Sequence, residues 1–425
     1  KSLEVEPNNV FALTQMVQLA NHQKDTEQAT LLTEQALKAH PNNIEILRQY
    51  LAFHQDEEGL KVIAQAQERN ADDIQYGILL SEGLMREEQF KQASAILDKY
   101  EVSAKTPKRY WQLLLASNAR QAEGKDIFLI LEQWRKTNTY HIEPVLLLAD
   151  YWIKKRSPDR ALSVLQDAFQ KHPQNLILHL VKMQVLLDNR RVEDAKSFFE
   201  TFEQFDINKD LLAGIEGRIL LLEQKFALAV PKLQQFYQIK PSSNNATHLA
   251  FALEGNNQKS EAIALLEQHI AKEALDNKVN PNVSLNLANM YLAENQDKAI
   301  SEYERLITVS PKNVVALNNL SWLYMDKKEF SQALKYAKQA YNITNEIPNV
   351  VDTYAQVLLK SGNKIEALTK AKEAHELAKG EDIDIALNLA EALLANNNNE
   401  EAKLVLAEIT AVTPAQKEKK QKLLK

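Results

Sequence analysis

Apolar and polar positions in the segment that begins at Val314 form two consecutive helix-length patterns. In the first pattern, apolar side chains recur with the spacing of one helical face: Leu317, Leu320, Leu323 and Tyr324. A polar stretch over residues 326–329 separates it from a second pattern, which starts at Phe330 and again marks a single face: Ala333, Leu334, Ala337 and Ala340. The segment therefore predicts two helices joined by a short turn, which together make a helix hairpin.

Alanine recurs through the chain at the length of one such hairpin. Ten alanines, called the ladder alanines below, are separated mostly by one or two steps of about 34 residues: Ala29, Ala93, Ala161, Ala195, Ala229, Ala262, Ala299, Ala333, Ala367 and Ala402. Prolines follow the alanines by about one helix: Pro41, Pro173, Pro241, Pro311 and Pro414. Because proline cannot continue a helix, these prolines are expected to separate successive hairpins.

The hairpin pattern fits about twelve times along the chain. The predicted starting residues are Val10, Ile44, Ile74, Lys108, His141, Leu176, Asp210, Ser243, Pro281, Val314, Pro348 and Ile383. The step of 64 residues from Ala29 to Ala93 predicts that the second hairpin is about four residues short, through a tighter turn or a lost helical turn. In the fourth hairpin Ile127 takes the place of a ladder alanine, and a long connection over residues 271–281 precedes the ninth.

These features resemble the tetratricopeptide repeat (TPR) family, whose unit is a helix hairpin of about 34 residues. The resemblance covers essentially the whole chain and is closest in the last four hairpins, as at Leu287, Ala288 and Tyr291. It implies an all-α TPR solenoid, a right-handed superhelix of about twelve helix hairpins. It also implies that the first helix of each hairpin lines a concave groove and that the second forms the convex back.

The quality of the resemblance divides the chain into four segments. Residues 1–9 have the pattern of the tail of a truncated preceding repeat. Residues 10–280 form a divergent TPR array, and residues 281–414 form a near-consensus TPR array. Residues 415–425 are predicted to be a C-terminal capping helix.

Composition narrows the classes of function. Acidic and basic residues are interspersed and the net charge is −6, so no surface for a nucleic acid is predicted. The sequence contains no cysteine, which excludes disulfides, thiolate metal sites and a cysteine nucleophile within it. Its apolar runs are far shorter than the roughly 18 residues that cross a bilayer, so no membrane contact by this segment is expected.

Motifs for catalysis are missing from the sequence as well. It has neither of the glycine-rich phosphate-binding motifs, and no HExxH or comparable pair of metal ligands. Its nine histidines occupy unrelated positions of the repeat, so they are not expected to converge on one site. We therefore predict no catalytic residues, no metal and no cofactor, and a protein that is not an enzyme.

The four tryptophans fall into two groups. Trp111, Trp134 and Trp152 occupy positions that the repeat places in the core. Trp322 instead falls on the groove-facing stripe of its helix, and two interpretations remain open. It either faces the groove or packs between adjacent first helices.

The surroundings of Trp322 suggest a candidate protein-binding patch. Asn318 and Met325 share its stripe, and the next hairpin places Asp352 and Gln356 on the equivalent stripe. An aromatic side chain flanked by amides and an acid is typical of a surface that binds a peptide. The expected partners are therefore other proteins or peptides along the groove.

Three asparagines recur at one position of the C-terminal repeats. Asn286, Asn319 and Asn388 each precede the pair of leucine and a small residue. Because they recur in phase, a hydrogen bond between neighbouring repeats is a better interpretation than a ligand contact.

The C-terminal hairpins have a narrower resemblance. From VVALNNLSWLYMDKKEFSQALKYAKQAY at residues 314–341 to LVLAEI at residues 404–409, they resemble bacterial TPR lipoproteins linked to exopolysaccharide production and the PEP-CTERM sorting system. This resemblance implies a periplasmic protein, anchored through a lipidated cysteine in a missing N-terminal part. It also implies a role in polysaccharide assembly or export.

Two alternatives are compatible with the same residues. One is a cytoplasmic adaptor or chaperone-like TPR module. The other is a regulatory TPR array of an enzyme whose catalytic domain lies outside this sequence.

Overall fold

The computed structural model describes residues 8–275 and 280–425, and within these ranges the regular elements are all helical. Contacts divide the chain into two compact units, Lys1–Phe205 and Asp206–Lys425, called the N-terminal and C-terminal units below. The boundary between them lies within the divergent segment 10–280, so compactness and similarity to the repeat consensus divide the chain differently. Most of the predicted tail at residues 1–9 lies outside the described residues.

The N-terminal unit consists of six helix hairpins. Its first helices are α1 (Val10–His22), α3 (Ile44–Phe53), α5 (Ile74–Arg86), α7 (Lys108–Ala119), α9 (Glu143–Lys154) and α11 (Leu176–Asp188). Its second helices are α2 (Thr26–Ala39), α4 (Glu57–Arg69), α6 (Phe90–Leu97), α8 (Ile127–Thr137), α10 (Pro158–Lys171) and α12 (Val192–Phe199). A 3-10 helix over Glu200–Gln204 continues α12.

The C-terminal unit has six more hairpins and a final helix. Its first helices are α13 (Lys209–Leu222), α15 (Ser243–Gly255), α17 (Pro281–Tyr291), α19 (Val314–Asp326), α21 (Pro348–Lys360) and α23 (Ile383–Ala395). Its second helices are α14 (Phe226–Ile239), α16 (Lys259–Leu275), α18 (Gln296–Val309), α20 (Phe330–Ile343), α22 (Lys364–Leu377) and α24 (Asn399–Glu408). Helix α25 (Pro414–Leu423) follows and packs against α23.

The predicted hairpin starts agree closely with this architecture. Ten of the twelve first helices in the described ranges begin at the predicted residue; α9 begins at Glu143 and α13 at Lys209. Many first helices follow an asparagine or aspartate whose side chain accepts a hydrogen bond from the first turn, as Asn313 does from the amide of Ala316. The all-α TPR fold expected from the sequence is confirmed.

The ladder alanines mark where the two helices of a hairpin touch. Each of the ten is the fourth residue of a second helix, and each has 0% of its surface exposed. In two hairpins a serine of the first helix donates a hydrogen bond to the carbonyl of the ladder alanine: Ser81 to Ala93 and Ser321 to Ala333, both at 3.1 Å. A side chain larger than alanine would force the helices apart at this point.

The structure corrects the predicted ladder position in the fourth hairpin and shows why the second hairpin is short. Ile127 is the first residue of α8 and is partly exposed, so the fourth residue, Ile130, occupies the ladder position with 2% exposure. The second hairpin is short because α3 has 10 residues where α1 and α5 have 13. Its fourth-residue position on α4 holds Leu60. The first part of the predicted connection over residues 271–281 is helical, because α16 extends to Leu275. Residues 276–279 of this connection lie outside the described residues.

The turns inside the hairpins share one backbone feature. In nine hairpins the residue two positions before the second helix has a positive φ angle: Lys24, Glu88, Arg156, Arg190, Gln224, Asn257, Lys328, Gly362 and Asn397. The next amide donates to the fifth carbonyl back, as Glu329 N does to Tyr324 O at 2.8 Å, which completes a Schellman cap of the first helix. Only one of the nine residues is glycine. The other eight have a Cβ atom in the left-handed backbone conformation, where it lies too close to the following carbonyl oxygen.

Replacing this glycine isolates the backbone cost of the turn. We expect Gly362→Ala to lower the free energy of unfolding of the chain by about 1–2 kcal/mol, because φ is +90° and a Cβ placed there meets no atom within 4 Å. Lys328 occupies the equivalent turn position with a φ of +62° and already has a Cβ atom. The matched variant Lys328→Ala should therefore change the free energy of unfolding by less than about 0.5 kcal/mol. Urea unfolding followed by circular dichroism measures both; equal effects of the two substitutions would contradict the assignment.

Candidate protein-binding face

The five candidate residues lie on two first helices that pack side by side. Asn318, Trp322 and Met325 are on α19, and Asp352 and Gln356 are on α21. Asn318 and Asp352 occupy equivalent repeat positions 34 residues apart, as do Trp322 and Gln356. We call the surface formed by these five residues the α19–α21 face.

Trp322 is the exposed member of this face. Half of its surface (50%) is exposed, whereas its neighbours Ser321 and Leu323 are fully buried. Met325 is partly buried and packs against the hydrophobic core of the unit. Trp322 is therefore not a core residue, and its role in binding stays a prediction.

The polar members of the face lie deeper than the sequence pattern indicates. Gln356 is 8% exposed, and its Nε2 atom is buried without a hydrogen-bond partner. The Oδ1 atoms of Asn318 and Asp352 are likewise buried and unpartnered. These positions fall between two closely packed first helices, so the neighbouring helix covers side chains that a single-helix pattern assigns to the groove.

Asp352 joins a polar network that reaches the last helix. Its Oδ2 accepts a hydrogen bond from Asn388 Nδ2 at 2.7 Å, and the Asn388 Oδ1 accepts one from Lys419 of α25. Burial of the carboxylate raises the pKa of Asp352 to about 7, although the hydrogen bond from Asn388 and the charge of Lys419 oppose the rise. Near neutral pH this carboxyl group therefore exists in both protonation states.

Stability should depend on the charge of Asp352. A carboxyl group whose pKa is raised on folding keeps its proton in the folded chain from about pH 4 to pH 7, while the unfolded chain loses it. Stability from this group is thus fully present below pH 4 and lost as the pH rises to about 7. We expect Asp352→Asn, which is neutral throughout, to raise the free energy of unfolding at pH 8 by about 1–4 kcal/mol and to change it little at pH 4.

Urea unfolding at pH 4, 6 and 8 measures this difference. Asp326→Asn, at the end of the neighbouring first helix α19, removes an exposed carboxylate and serves as the control, with the same small effect at each pH. If Asp352→Asn and the wild-type chain lost stability in parallel from pH 4 to pH 8, the buried carboxylate would not be the cause.

The recurring asparagines make the predicted contacts between repeats. Asn286 donates to Thr247 Oγ1 at 3.4 Å, Asn319 donates to the Tyr303 hydroxyl at 2.8 Å, and Asn388 donates to Asp352. In each case the acceptor belongs to the preceding hairpin. The structural interpretation of these three residues is confirmed.

The other tryptophans lie in the N-terminal unit. Trp111 and Trp134 are fully buried and stacked with their rings 6.1 Å apart, and Trp111 Nε1 donates to Asn138 Oδ1 at 3.0 Å. Their predicted core positions are confirmed. Trp152 is only partly buried, with the guanidinium of Arg160 lying 4.5 Å from its ring.

Some polar clusters could not be foreseen from the repeat pattern. Buried His269 contacts the hydroxyl of Tyr237 at 2.9 Å and Glu273 Oε1 at 3.2 Å, and Glu273 also accepts from the Asn280 amide at 2.9 Å. In the N-terminal unit, Lys182 interrupts the apolar sequence of α11 and faces a cavity. The sequence does contain a sign of this cavity, because a lysine within the apolar stripe of a helix is unusual.

The described residues contain neither a cluster of metal ligands nor a helix that could cross a membrane. No three histidine, aspartate or glutamate side chains within residues 8–275 and 280–425 group closely enough to hold a metal ion. In the same ranges, no helix combines the length and apolar composition that crossing a bilayer requires.

Comparisons with known proteins found similarity in structure. No family profile matches the chain, and no curated protein matches it in sequence. Among solved structures, the APC/C hetero-tetramer Cut9–Hcn1 is 12% identical with a TM-score of 0.48, covering 100% of this chain and 98% of that chain. The C-terminal part of a TPR repeat-containing protein from Cytophaga hutchinsonii is 17% identical with a TM-score of 0.44, covering 57% and 98%.

A third solved structure, MamA AMB-1, is 22% identical with a TM-score of 0.35, covering 42% of this chain and 97% of that chain. All three are TPR-repeat proteins. The TPR-type fold is assigned on the paired helices, their spacing of about 34 residues and the buried ladder alanines.

Proposed function

We propose that the protein is a non-enzymatic scaffold that binds segments of other proteins on the α19–α21 face. The observation that carries this proposal is the half-exposed Trp322 on a first helix whose neighbouring residues are buried. An exposed tryptophan loses contact with water when a partner covers it, and tryptophan is among the side chains that contribute most to protein interfaces.

The buried polar atoms of the α19–α21 face indicate how a peptide would be held. Asn318 Oδ1 can accept a hydrogen bond and Gln356 Nε2 can donate one, which are the two partners that a peptide main chain offers. Unpartnered buried atoms of this kind cost free energy, so a ligand that supplies their partners gains it. Because they are closed off in the free chain, Trp322 makes the first contact and the neighbouring side chains shift afterwards.

Substitution of Trp322 tests this function. Peptides are selected by phage display on the full chain, and their dissociation constants are measured by fluorescence anisotropy. We expect Trp322→Ala to raise the dissociation constants at least about tenfold, because a central aromatic side chain contributes more than about 1.4 kcal/mol. Bound peptide should also protect Trp322 from quenching by acrylamide.

The control variant also loses an exposed apolar side chain, but on a second helix outside the α19–α21 face. Ile365→Ala on α22 removes a side chain that is 82% exposed and should leave the dissociation constants unchanged. Helicity of both variants should match that of the wild-type chain. Selected peptides that bind Trp322→Ala as tightly as the wild type would refute the proposed face.

We also propose a location, on the resemblance of residues 314–409 to the exopolysaccharide-linked lipoproteins. The scaffold would act in the bacterial periplasm, in polysaccharide assembly or export, with an anchor supplied by a lipidated cysteine before Lys1. Fractionation of cells that carry the full gene should then find the protein with the periplasm or envelope. Recovery in the cytosol would favour the adaptor alternative, and a catalytic domain in the same gene would favour the enzyme-array alternative.

A further inference from the structure

Lys182 occupies a repeat position that is apolar in most of the other hairpins. It stands 13 residues before the ladder alanine Ala195, as Leu320 stands before Ala333. Leu320 is fully buried in the core of its hairpin. A lysine at the equivalent place on α11 introduces an ammonium group where the fold normally packs a leucine.

The ammonium of Lys182 has aromatic neighbours in place of a carboxylate. Its Nζ lies 4.1 Å from the ring centre of Phe198 and 5.3 Å from that of Phe169, both of which attract a cation. The nearby carboxylates are held by Arg191, which pairs with Asp159 at 2.8 Å and with Asp194 at 2.7 Å. Lys182 takes part in none of the ion pairs found among the described residues.

Burial also acts on the charge of this lysine. Loss of contact with water lowers the pKa of Lys182 below its ordinary value, and the charge of Asp194 only partly opposes the change. A counter-ion placed against Nζ would therefore stabilise the charged form.

A cavity of about 550 Å³ lies between α10, α11 and α12 at this place. Leu162, Leu186 and Phe198 supply its apolar wall, and the hydroxyl groups of Ser163 and Ser197 line it beside Lys182. This volume falls in the range of small-molecule binding sites, which combine an apolar lining with a few polar groups.

We propose that this cavity binds a small monocarboxylate with an apolar body. The carboxylate pairs with Lys182 Nζ and accepts hydrogen bonds from Ser163 and Ser197. The apolar body packs against Leu162 and Leu186. Nothing in this proposal depends on the α19–α21 face, which lies in the other unit.

The charges around the cavity decide the class of anion. Asp159 and Asp194 also line the cavity, and both pair with Arg191, which leaves Lys182 outside these ion pairs. A singly charged ligand meets one free cation, whereas a dianion would face two carboxylates with its second charge. A carboxylate is therefore favoured over a phosphate monoester.

Hexanoate is a suitable probe because it carries one carboxylate on a short apolar chain. In the full chain with labelled leucine methyl groups, nuclear magnetic resonance titration should shift the signals of Leu162 and Leu186. For a ligand of this size we expect a dissociation constant on the order of 1 mM. Hexanamide, which has the same body without the charge, and hexyl phosphate should each bind at least about tenfold more weakly.

Variants identify the lysine. Lys182→Met keeps an apolar stem at a position where the repeat accepts leucine, and it should weaken hexanoate binding at least about tenfold. Lys182→Arg keeps the charge and should bind hexanoate within about threefold of the wild type. Lys171→Met removes an exposed lysine of α10 outside the cavity and should leave the binding unchanged.

Three results would overturn the proposal. The first is binding of hexanamide as tightly as hexanoate, and the second is unchanged hexanoate binding by Lys182→Met. The third is a titration in which the signals of Leu162 and Leu186 do not move. Thermal unfolding of each variant checks that the hairpin is intact. If Lys182→Met unfolds early, loss of binding by the folded Lys182→Arg variant would overturn it in the same way.

Discussion

The hairpins depend on the close approach of two helices at one point, the fourth residue of the second helix. A ladder alanine at that point leaves room for the facing helix, and all ten ladder alanines are fully buried. In two hairpins the contact also carries a hydrogen bond, from Ser81 and from Ser321 to the alanine carbonyl. Since each hairpin packs on the next, the geometry of this contact is passed along each unit.

Where the contact uses another residue, the hairpin changes around it. Ile130 takes the ladder position of the fourth hairpin, and the same hairpin contains the stacked pair of Trp111 and Trp134. Leu60 takes it in the second hairpin, whose first helix has lost three residues relative to α1. Larger side chains at the closest point are therefore accompanied by changes in helix length or in aromatic packing, as expected if volume at this point is limiting.

The two proposed binding sites lie on different parts of the hairpins, one on first helices and the other between second helices. The α19–α21 face lies on first helices, where Trp322 is exposed and Asn318, Asp352 and Gln356 have buried polar atoms without a partner. The cavity near Lys182 opens between two second helices, α10 and α12, and its lysine replaces a core leucine. One place has the chemistry of a peptide main chain, and the other has the chemistry of a single carboxylate.

The sequence by itself determined the helix hairpins, because their spacing depends on local rules. Apolar periodicity and prolines place helices within one segment, so ten of the twelve first helices in the described ranges begin where predicted. Hydrogen bonds from Asn286, Asn319 and Asn388 to the preceding hairpin were also predictable, since residues that recur in phase face the same neighbouring repeat.

Only the tertiary structure decided which side chains are exposed. The stripe on α21 assigned Gln356 to the groove, but packing against the adjacent first helix buries it and leaves Trp322 exposed on α19. The raised pKa of Asp352 and the cavity at Lys182 have the same origin, because both depend on how much water neighbouring helices exclude. Periodicity along one helix contains no information on that exclusion, which arises when the next hairpin packs in place.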